Sequence, residues 1–239
     1  MTRPLQQWKV LPHGKLTEVD QGVLTVTGQI QMPLMELERR MTVVRLPDGR
    51  LIIFSAIALD DDEMRTLDDY GRPAFLVVPS DKHRLDARIW KDRYPAMQVV
   101  AAQGAREAVG KVVSVDTVAP RFDDPNVEFV TVAGTRGREG ALLVRTSSRT
   151  TLVLNDVIGN IRGASGVGGW LLGLVGFAGD KPQIPRVVKK VMIEDANALR
   201  AQLLQWAEIE SLKRILVSHG SPIEENPRQT LRDLASSLV

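Results

Sequence analysis

The chain has 239 residues, of which 44% are apolar and 25% are charged. This balance is typical of a globular protein that buries a substantial core, and we expect a single domain over residues 1–239. Because the chain contains no cysteine, disulfides, thiolate metal sites and cysteine nucleophiles are excluded. The formal net charge is +2 and no long basic run occurs, so nucleic acid is not an expected partner.

The first half of the chain is predicted to alternate strands with helices. Asp48-Gly49 between two β-branched runs predicts a hairpin, and the acidic start of Asp60–Tyr70 is typical of a helix N-terminus. The predicted strands are Val23–Thr27, Met41–Leu46, Leu51–Ser55, Ala74–Val78 and Gln98–Ala102, and the predicted helices are Asp60–Tyr70, Leu85–Tyr94 and Gly104–Val109.

The second half is predicted to form another sheet followed by helices. Its predicted strands are Val112–Val115, Val127–Val132, Ala141–Thr146, Thr150–Leu154 and Lys213–Val217, and its predicted helices are Asp195–Glu210 and Glu224–Leu238. This order predicts the α+β class, with two mixed β-sheets stacked face to face and helices on the outer faces. The predicted architecture is a four-layer αββα sandwich.

No membrane-spanning segment is predicted. Residues 1–8 lack the apolar core of a secretory signal, and the most apolar stretch, Val167–Ala178, is shorter than the roughly 20 residues that span a bilayer. We therefore expect a cytoplasmic protein.

Three side chains that can bind a metal each follow an apolar, β-branched run. They are His83, Asp156 and His219. Functional groups gather at strand ends, because a rigid element there presents its side chains to a solvent-reachable cleft. The sequence therefore predicts one shared site. The alternatives are that the two histidines are unrelated loop residues and that Asp156 opens a turn.

The order of these motifs resembles the metallo-β-lactamase fold superfamily over most of the chain. The resemblance is carried by the hairpin Met41–Ile53, the strand before His83, Tyr94-Pro95, Leu154-Asn155-Asp156 and Val217-Ser218-His219-Gly220. The segment Ser55–Asp60 is similar to an uncharacterised branch of the superfamily rather than to its well-known hydrolases.

The superfamily's ligand motif for two zinc ions is degenerate in this chain. Its His-x-His-x-Asp-His positions that bind metal fall on Val78, Ser80, Lys82 and His83. Only the last matches, and no histidine lies between His83 and His219. The resemblance therefore implies at most one ion, zinc or else iron or manganese, bound by His83, Asp156 and His219. Asp81 and Asp86 are the other candidate ligands, or else helix caps and solvated charges.

The resemblance implies a metal-dependent hydrolase that acts on an ester, thioester, amide or phosphoester by means of metal-activated water. Asp156 and Lys82 are the predicted catalytic residues. The predicted substrate contacts are Ser80, Arg136, Arg138 and Trp170. A small-molecule substrate or ligand is expected, and homo-oligomerisation is left open.

The alternative function is a metal-free module that binds a small anion or a protein partner in the same cleft. Lys82 favours this alternative, because its ammonium would repel a dication and could pair with Asp156. No metal would then be bound.

One further segment has more than one interpretation, and one further histidine has no role in the predicted site. Ile161–Pro185 is rich in glycine and contains Trp170 and Phe177. It is interpreted as a flap over the cleft, as an apolar patch for a partner or a membrane surface, or as a short buried hairpin or helix pair. His13 lies in a polar stretch with turn residues and is predicted to be at the surface.

Overall fold

Two mixed β-sheets, each with its own helices, form the protein. The computed structural model describes residues 3–32, 35–162, 169, 173 and 176–238. These residues divide into two compact units, the first with residues 3–32 and 37–125 and the second with residues 35–36 and the described part of 126–238. The single-domain expectation remains a prediction.

The N-terminal unit contains a six-stranded sheet in the order β1-β2-β3-β4-β5-β6, except for residues 35–36 at the start of its third strand. Its strands are β1 (Thr17–Asp20), β2 (Val23–Met32), β3 (Met35–Arg45), β4 (Arg50–Phe54), β5 (Arg72–Val78) and β6 (Gln98–Ala101). The pairs β1–β2 and β3–β4 are antiparallel, whereas β4, β5 and β6 run parallel. The parallel strands therefore end at the same edge of this sheet.

The predicted hairpin between β3 and β4 is confirmed. Gly49 has φ +80°, a left-handed conformation that glycine adopts without steric cost. The Leu46 N–H donates to the carbonyl of Arg50 at 2.8 Å, which closes the turn.

The helices of the N-terminal unit are α1 (Asp61–Tyr70), α2 (Ala87–Arg93) and α3 (Arg106–Gly110), with a 3₁₀ turn at Gln103–Ala105. The carboxylate of Asp60 caps α1 by accepting the N–H groups of Asp62 and Glu63 at 3.1 and 2.9 Å. Met64 and Leu67 lie on the buried face of α1. The helix predicted from the acidic N-terminal residues and the spacing of the apolar residues is thus confirmed.

The C-terminal unit contains a four-stranded sheet in the order β10-β9-β8-β7. Its strands are β7 (Val127–Thr131), β8 (Gly140–Arg145), β9 (Thr150–Val153) and β10 (Leu212–Leu216). The pairs β7–β8 and β8–β9 are antiparallel, and β9 runs parallel to β10. A parallel pair needs a long crossover, and the described part of the chain between these two strands contains the helices Arg186–Val191 and Ala196–Ala207.

The helices with described bounds in the C-terminal unit are α4 (Arg186–Val191), α5 (Ala196–Ala207) and α6 (Pro227–Ser236). α5 contributes Leu199, Leu203 and Trp206 to an apolar core that also contains Leu152 and Ile215 from the sheet. The spacing of the α5 residues is the one from which this helix is predicted.

The predicted α+β class with two mixed sheets and accompanying helices is confirmed. One predicted strand, Val112–Val115, is wrong, because the N–H groups of Val112 and Val113 donate to the carbonyl of Val109 and continue the end of α3 as a turn. The sequence did not predict β1 or α4. Within the described ranges, every helix is too short or too polar to cross a membrane.

We predict that Asp60→Ala lowers the free energy of unfolding by about 1 kcal/mol, since it removes the acceptor for two N–H groups at the start of α1. Urea denaturation measures this change. The control is Asp69→Ala, an exposed residue in the last turn of the same helix, where a negative charge is not favoured by the helix dipole. Equal losses in both variants would contradict the assignment of the cap.

Candidate metal centre

Asp156 and His219 lie together at one end of the C-terminal sheet. In the parallel pair β9–β10, Val153 lies opposite Leu216, and each of the two predicted ligands follows three residues later. The Oδ1 atom of Asp156 is 3.2 Å from Nε2 of His219. The two residues are only 5% and 3% exposed, so this carboxylate and this imidazole form a buried pair.

The loops that follow β9 and β10 are hydrogen-bonded to each other. The hydroxyl of Ser218 donates to Oδ1 of Asn155 at 2.6 Å, and the Asn160 N–H donates to the carbonyl of His219 at 3.0 Å. Gly220 has φ +99°, and a Cβ atom there would lie 2.1 Å from the carbonyl oxygen of Asn160. Only glycine permits this close approach, which holds the two loops in fixed relation.

A third buried side chain, Glu139, organises the loop that carries Asp156. Its Oε1 accepts the N–H groups of Asn155 and Val157 at 3.2 and 3.1 Å, and its Oε2 accepts the N–H of Asp156 at 3.2 Å. Burial, and after it the negative charge of Asp156, raise the pKa of Glu139 to about 8 against the lowering effect of the three N–H donors.

The sequence indicates Glu139 only as one of three turn charges, with Arg136 and Arg138, that could bind an anionic substrate or be exposed, and its support of the Asp156 loop was not predicted. Its only sequence signal is a lone carboxyl directly before the apolar strand β8. Such a glutamate is usually a solvated charge, whereas this one is completely buried.

His83 lies in the loop after β5, and its ring contacts Ser55. Nδ1 of His83 is 3.0 Å from Oγ of Ser55, the residue that directly follows β4. A hydrogen bond at one ring nitrogen determines which of the two nitrogens carries the proton. Since Nδ1 contacts Ser55, Nε2 is the candidate donor atom of His83 for a metal.

Lys82 and Ser80 lie beside His83 in the same loop. The hydroxyl oxygen of Ser80 accepts the Lys82 N–H at 3.2 Å, and Ser80 is fully buried. The ammonium of Lys82 is 3.3 Å from Asp81, and the lysine side chain is 37% exposed.

His83, Asp156 and His219 form one group of ligand atoms. Each residue offers one such atom, and the three atoms lie within 4.8 Å of one another. Two imidazole nitrogens and a carboxylate oxygen are a donor set typical of zinc. The residues that the sequence predicts as metal ligands are thus a group that could hold a metal.

The other two candidate ligands have different partners. The carboxylate of Asp86 forms an ion pair with the buried Arg39 and accepts the Ala58 N–H at 3.0 Å. Asp86 precedes α2 without capping it through its side chain. Neither Asp81 nor Asp86 belongs to the group of three ligand atoms.

The predicted substrate contacts outside the His83 loop are described only in part. Arg136 lies in an exposed turn with φ +55° and is 3.9 Å from Glu194. The backbone N–H of Arg138 donates to the carbonyl of Thr135 in the same turn. Trp170 and most of the glycine-rich part of Ile161–Pro185, from 163 to 175, lie outside the described residues, so the alternatives for this segment stay open.

The surface prediction for His13 is wrong. Its side chain is only 4% exposed, because Nε2 accepts the Asp60 N–H at 3.0 Å and Nδ1 donates to the carbonyl of Gly14 at 2.7 Å. His13 therefore helps to fix the start of α1.

Solved structures with a similar fold are metallo-β-lactamases. FIM-1 from Pseudomonas aeruginosa, in its mono-zinc form, is 12% identical with a TM-score of 0.63, over 96% of this chain and 97% of that chain. DIM-1, exposed to ceftazidime, is 11% identical with a TM-score of 0.65, over 97% of this chain and 100% of that chain. An enzyme from Erythrobacter litoralis is 13% identical with a TM-score of 0.60, over 93% and 96%.

At these identities the likeness concerns the fold alone. No protein-family model and no curated protein matches the sequence. The ligand set of this chain is therefore argued from its own residues.

We predict that the unfolding free energy of the metal-free protein falls as pH rises from about 4.5 to about 8. Folding raises the pKa of Glu139 from 4.5 to about 8, so in this window the folded chain keeps a proton that the unfolded chain releases. Stability from this group is complete below the lower value and is lost as pH passes the higher one. Urea denaturation in the presence of a chelator measures the profile.

Glu139→Gln removes the titrating group and is expected to flatten this pH profile. The matched control is Glu128→Gln, which replaces an exposed glutamate on β7 that pairs with Arg145 and is expected to keep the wild-type slope. A Glu139→Gln profile as steep as that of the wild type would contradict the prediction.

Proposed function

The chain has the metallo-β-lactamase fold, and we propose that it is a hydrolase with one metal ion bound by His83, Asp156 and His219. Its proposed substrates are small molecules with an ester, thioester, amide or phosphoester bond. The observation that carries the proposal is the group of three ligand atoms within 4.8 Å of one another.

The donor set of this group fits a divalent transition metal. Imidazole nitrogen and carboxylate oxygen bind zinc at about 2.0–2.2 Å, and iron or manganese accept the same ligands. Three protein ligands leave one coordination position open, which distinguishes catalytic from structural zinc sites. A metal bound there would supply an activated water at neutral pH and polarise the bond to be cleaved.

Buried negative charge near His219 supports a cation at this position. Asp156 and Glu139 are both buried, and the charge of Asp156 contributes to the raised pKa of Glu139. Burial of a carboxylate costs roughly several kcal/mol, which a nearby cation or hydrogen bonds offset. A divalent ion beside Asp156 would offset this negative charge.

Within this proposal, Asp156 and Lys82 have the catalytic roles. Asp156 binds the metal and holds, on its second carboxylate oxygen, the proton released by the attacking water. Lys82 stabilises the negative charge that develops on the substrate oxygen. Its side chain is partly exposed, so its ammonium can reach a substrate while its backbone N–H is held by Ser80.

The remaining proposed substrate contacts are Ser80, Arg136, Arg138 and Trp170. Arg136 is paired with Glu194 at 3.9 Å and both side chains are more than half exposed. An exposed pair of this kind is weak, in the range of about 0–1 kcal/mol, so a substrate anion could displace Glu194.

We predict that protein purified without chelator and dialysed against zinc retains about one ion per chain. His83→Ala, Asp156→Ala and His219→Ala are each expected to lower metal affinity by about 10-fold or more, since each removes a direct ligand, whose loss should cost at least as much as that of a supporting hydrogen bond. Inductively coupled plasma mass spectrometry gives the metal content, and circular dichroism checks the fold.

His13→Ala is the matched control for these variants, because it removes the only other histidine of the chain. It is expected to retain the wild-type metal content. A correctly folded wild-type protein that never retains a metal would overturn the proposed function.

We predict that Lys82→Met lowers kcat by about 10²- to 10³-fold without loss of metal, as for removal of a group that stabilises developing negative charge. The assay uses zinc-loaded protein with a panel of ester, thioester, amide and phosphoester substrates. Lys111→Met, which removes an exposed lysine paired with Glu107, should have wild-type rates. Equal kcat values for Lys82→Met and wild type would remove Lys82 from the mechanism.

A further inference from the structure

Ser55 has an unusual backbone conformation for its position. Its φ is +57°, in the left-handed region that favours glycine. Among the described residues, the other non-glycine residues with positive φ are Asp123, Arg136 and Asn226, and all three are exposed. Ser55, by contrast, is only 4% exposed.

Ser55 adopts this left-handed conformation directly after the last residue of β4. Phe54 is the last residue of that strand and lies opposite Val77 in the parallel pair β4–β5. The Ser55 N–H donates to the carbonyl of Val77 at 3.0 Å. The backbone turns at this point, and the hydroxyl of Ser55 comes within 3.0 Å of Nδ1 of His83.

Strained non-glycine conformations persist only where the surrounding structure enforces them, and they concentrate at functional sites. A glycine at position 55 would adopt this conformation more easily but would lack the hydroxyl. A serine in a strained, buried position therefore points to a role for its Oγ atom.

We propose that Ser55 is a positioning residue for His83, and that its hydroxyl oxygen accepts the Nδ1 proton and so presents Nε2 to the metal. This inference rests on the proposed function, in which His83 is a metal ligand. A hydroxyl is an uncharged acceptor, so it fixes the ring and its tautomer without adding a further negative charge to the buried carboxylates.

Two substitutions separate the backbone of Ser55 from its hydroxyl. Ser55→Gly relieves the backbone strain, whereas Ser55→Ala retains it, and both remove Oγ. We expect Ser55→Gly to have the higher Tm of the two, but we expect both to bind zinc about 10-fold more weakly than wild type. Competition titration with a chromogenic chelator measures the affinity.

Asn226→Gly is the control for relief of strain alone. Asn226 has φ +49°, is exposed and makes no side-chain bond to the helix that it precedes. Its substitution is expected to leave zinc affinity unchanged.

Nuclear magnetic resonance of ¹⁵N-histidine-labelled protein provides a second readout, which a purely structural role of Ser55 would not change. In zinc-loaded wild type, we expect a protonated Nδ1 on His83 whose proton exchanges slowly with water, assigned by its loss in His83→Ala. In Ser55→Gly, this proton is expected to exchange rapidly.

The outcomes separate this inference from the proposed function. Wild-type zinc affinity in Ser55→Gly, or an unchanged exchange rate of the Nδ1 proton, overturns the role of Ser55 and leaves the proposed function intact. A wild-type protein that binds no metal overturns both.

Discussion

The parallel pairing of β9 with β10 holds the candidate metal centre in place. Val153 lies opposite Leu216, so Asp156 and His219 leave the sheet with the same offset and meet at 3.2 Å. A slip of one residue would move one strand by about 3.3 Å and turn its side chains to the other face. The buried apolar faces of both strands make such a slip unfavourable, and the geometry of the centre is therefore protected by the core.

The same region combines two opposing electrostatic requirements. The three N–H groups that Glu139 accepts fix the loop around Asp156, which favours a well-defined ligand geometry. The carboxyl group of Glu139 also places potential negative charge beside Asp156, and burial raises the pKa of Glu139. Fully satisfied polar networks of this kind give rigidity, whereas a missing partner is costly. In the metal-free protein, a proton on Glu139 removes the repulsion between the two carboxyl groups.

Local patterns predicted the strands and the longer helices because apolar periodicity and turn residues act over a few positions. They failed at Val112–Val115, where β-branched residues continue the end of α3 as a turn. The partner of His83 was also beyond local patterns, since Ser55 lies 28 residues away. A buried carboxyl such as Glu139 has the same sequence appearance as a solvated one, and only its contacts distinguish the two.

The amino-acid sequence alone determined most strands and helices, the exclusion of thiolate ligands and the three candidate ligands at strand ends. These features depend on residue type and short-range spacing. The tertiary structure decided that the three ligand atoms lie within 4.8 Å of one another, that Ser55 contacts the ring of His83 and that Glu139 accepts the N–H groups of the Asp156 loop. These contacts join residues far apart in the chain. They depend on sheet register and loop paths, which are set by packing of the whole unit and not by local propensity.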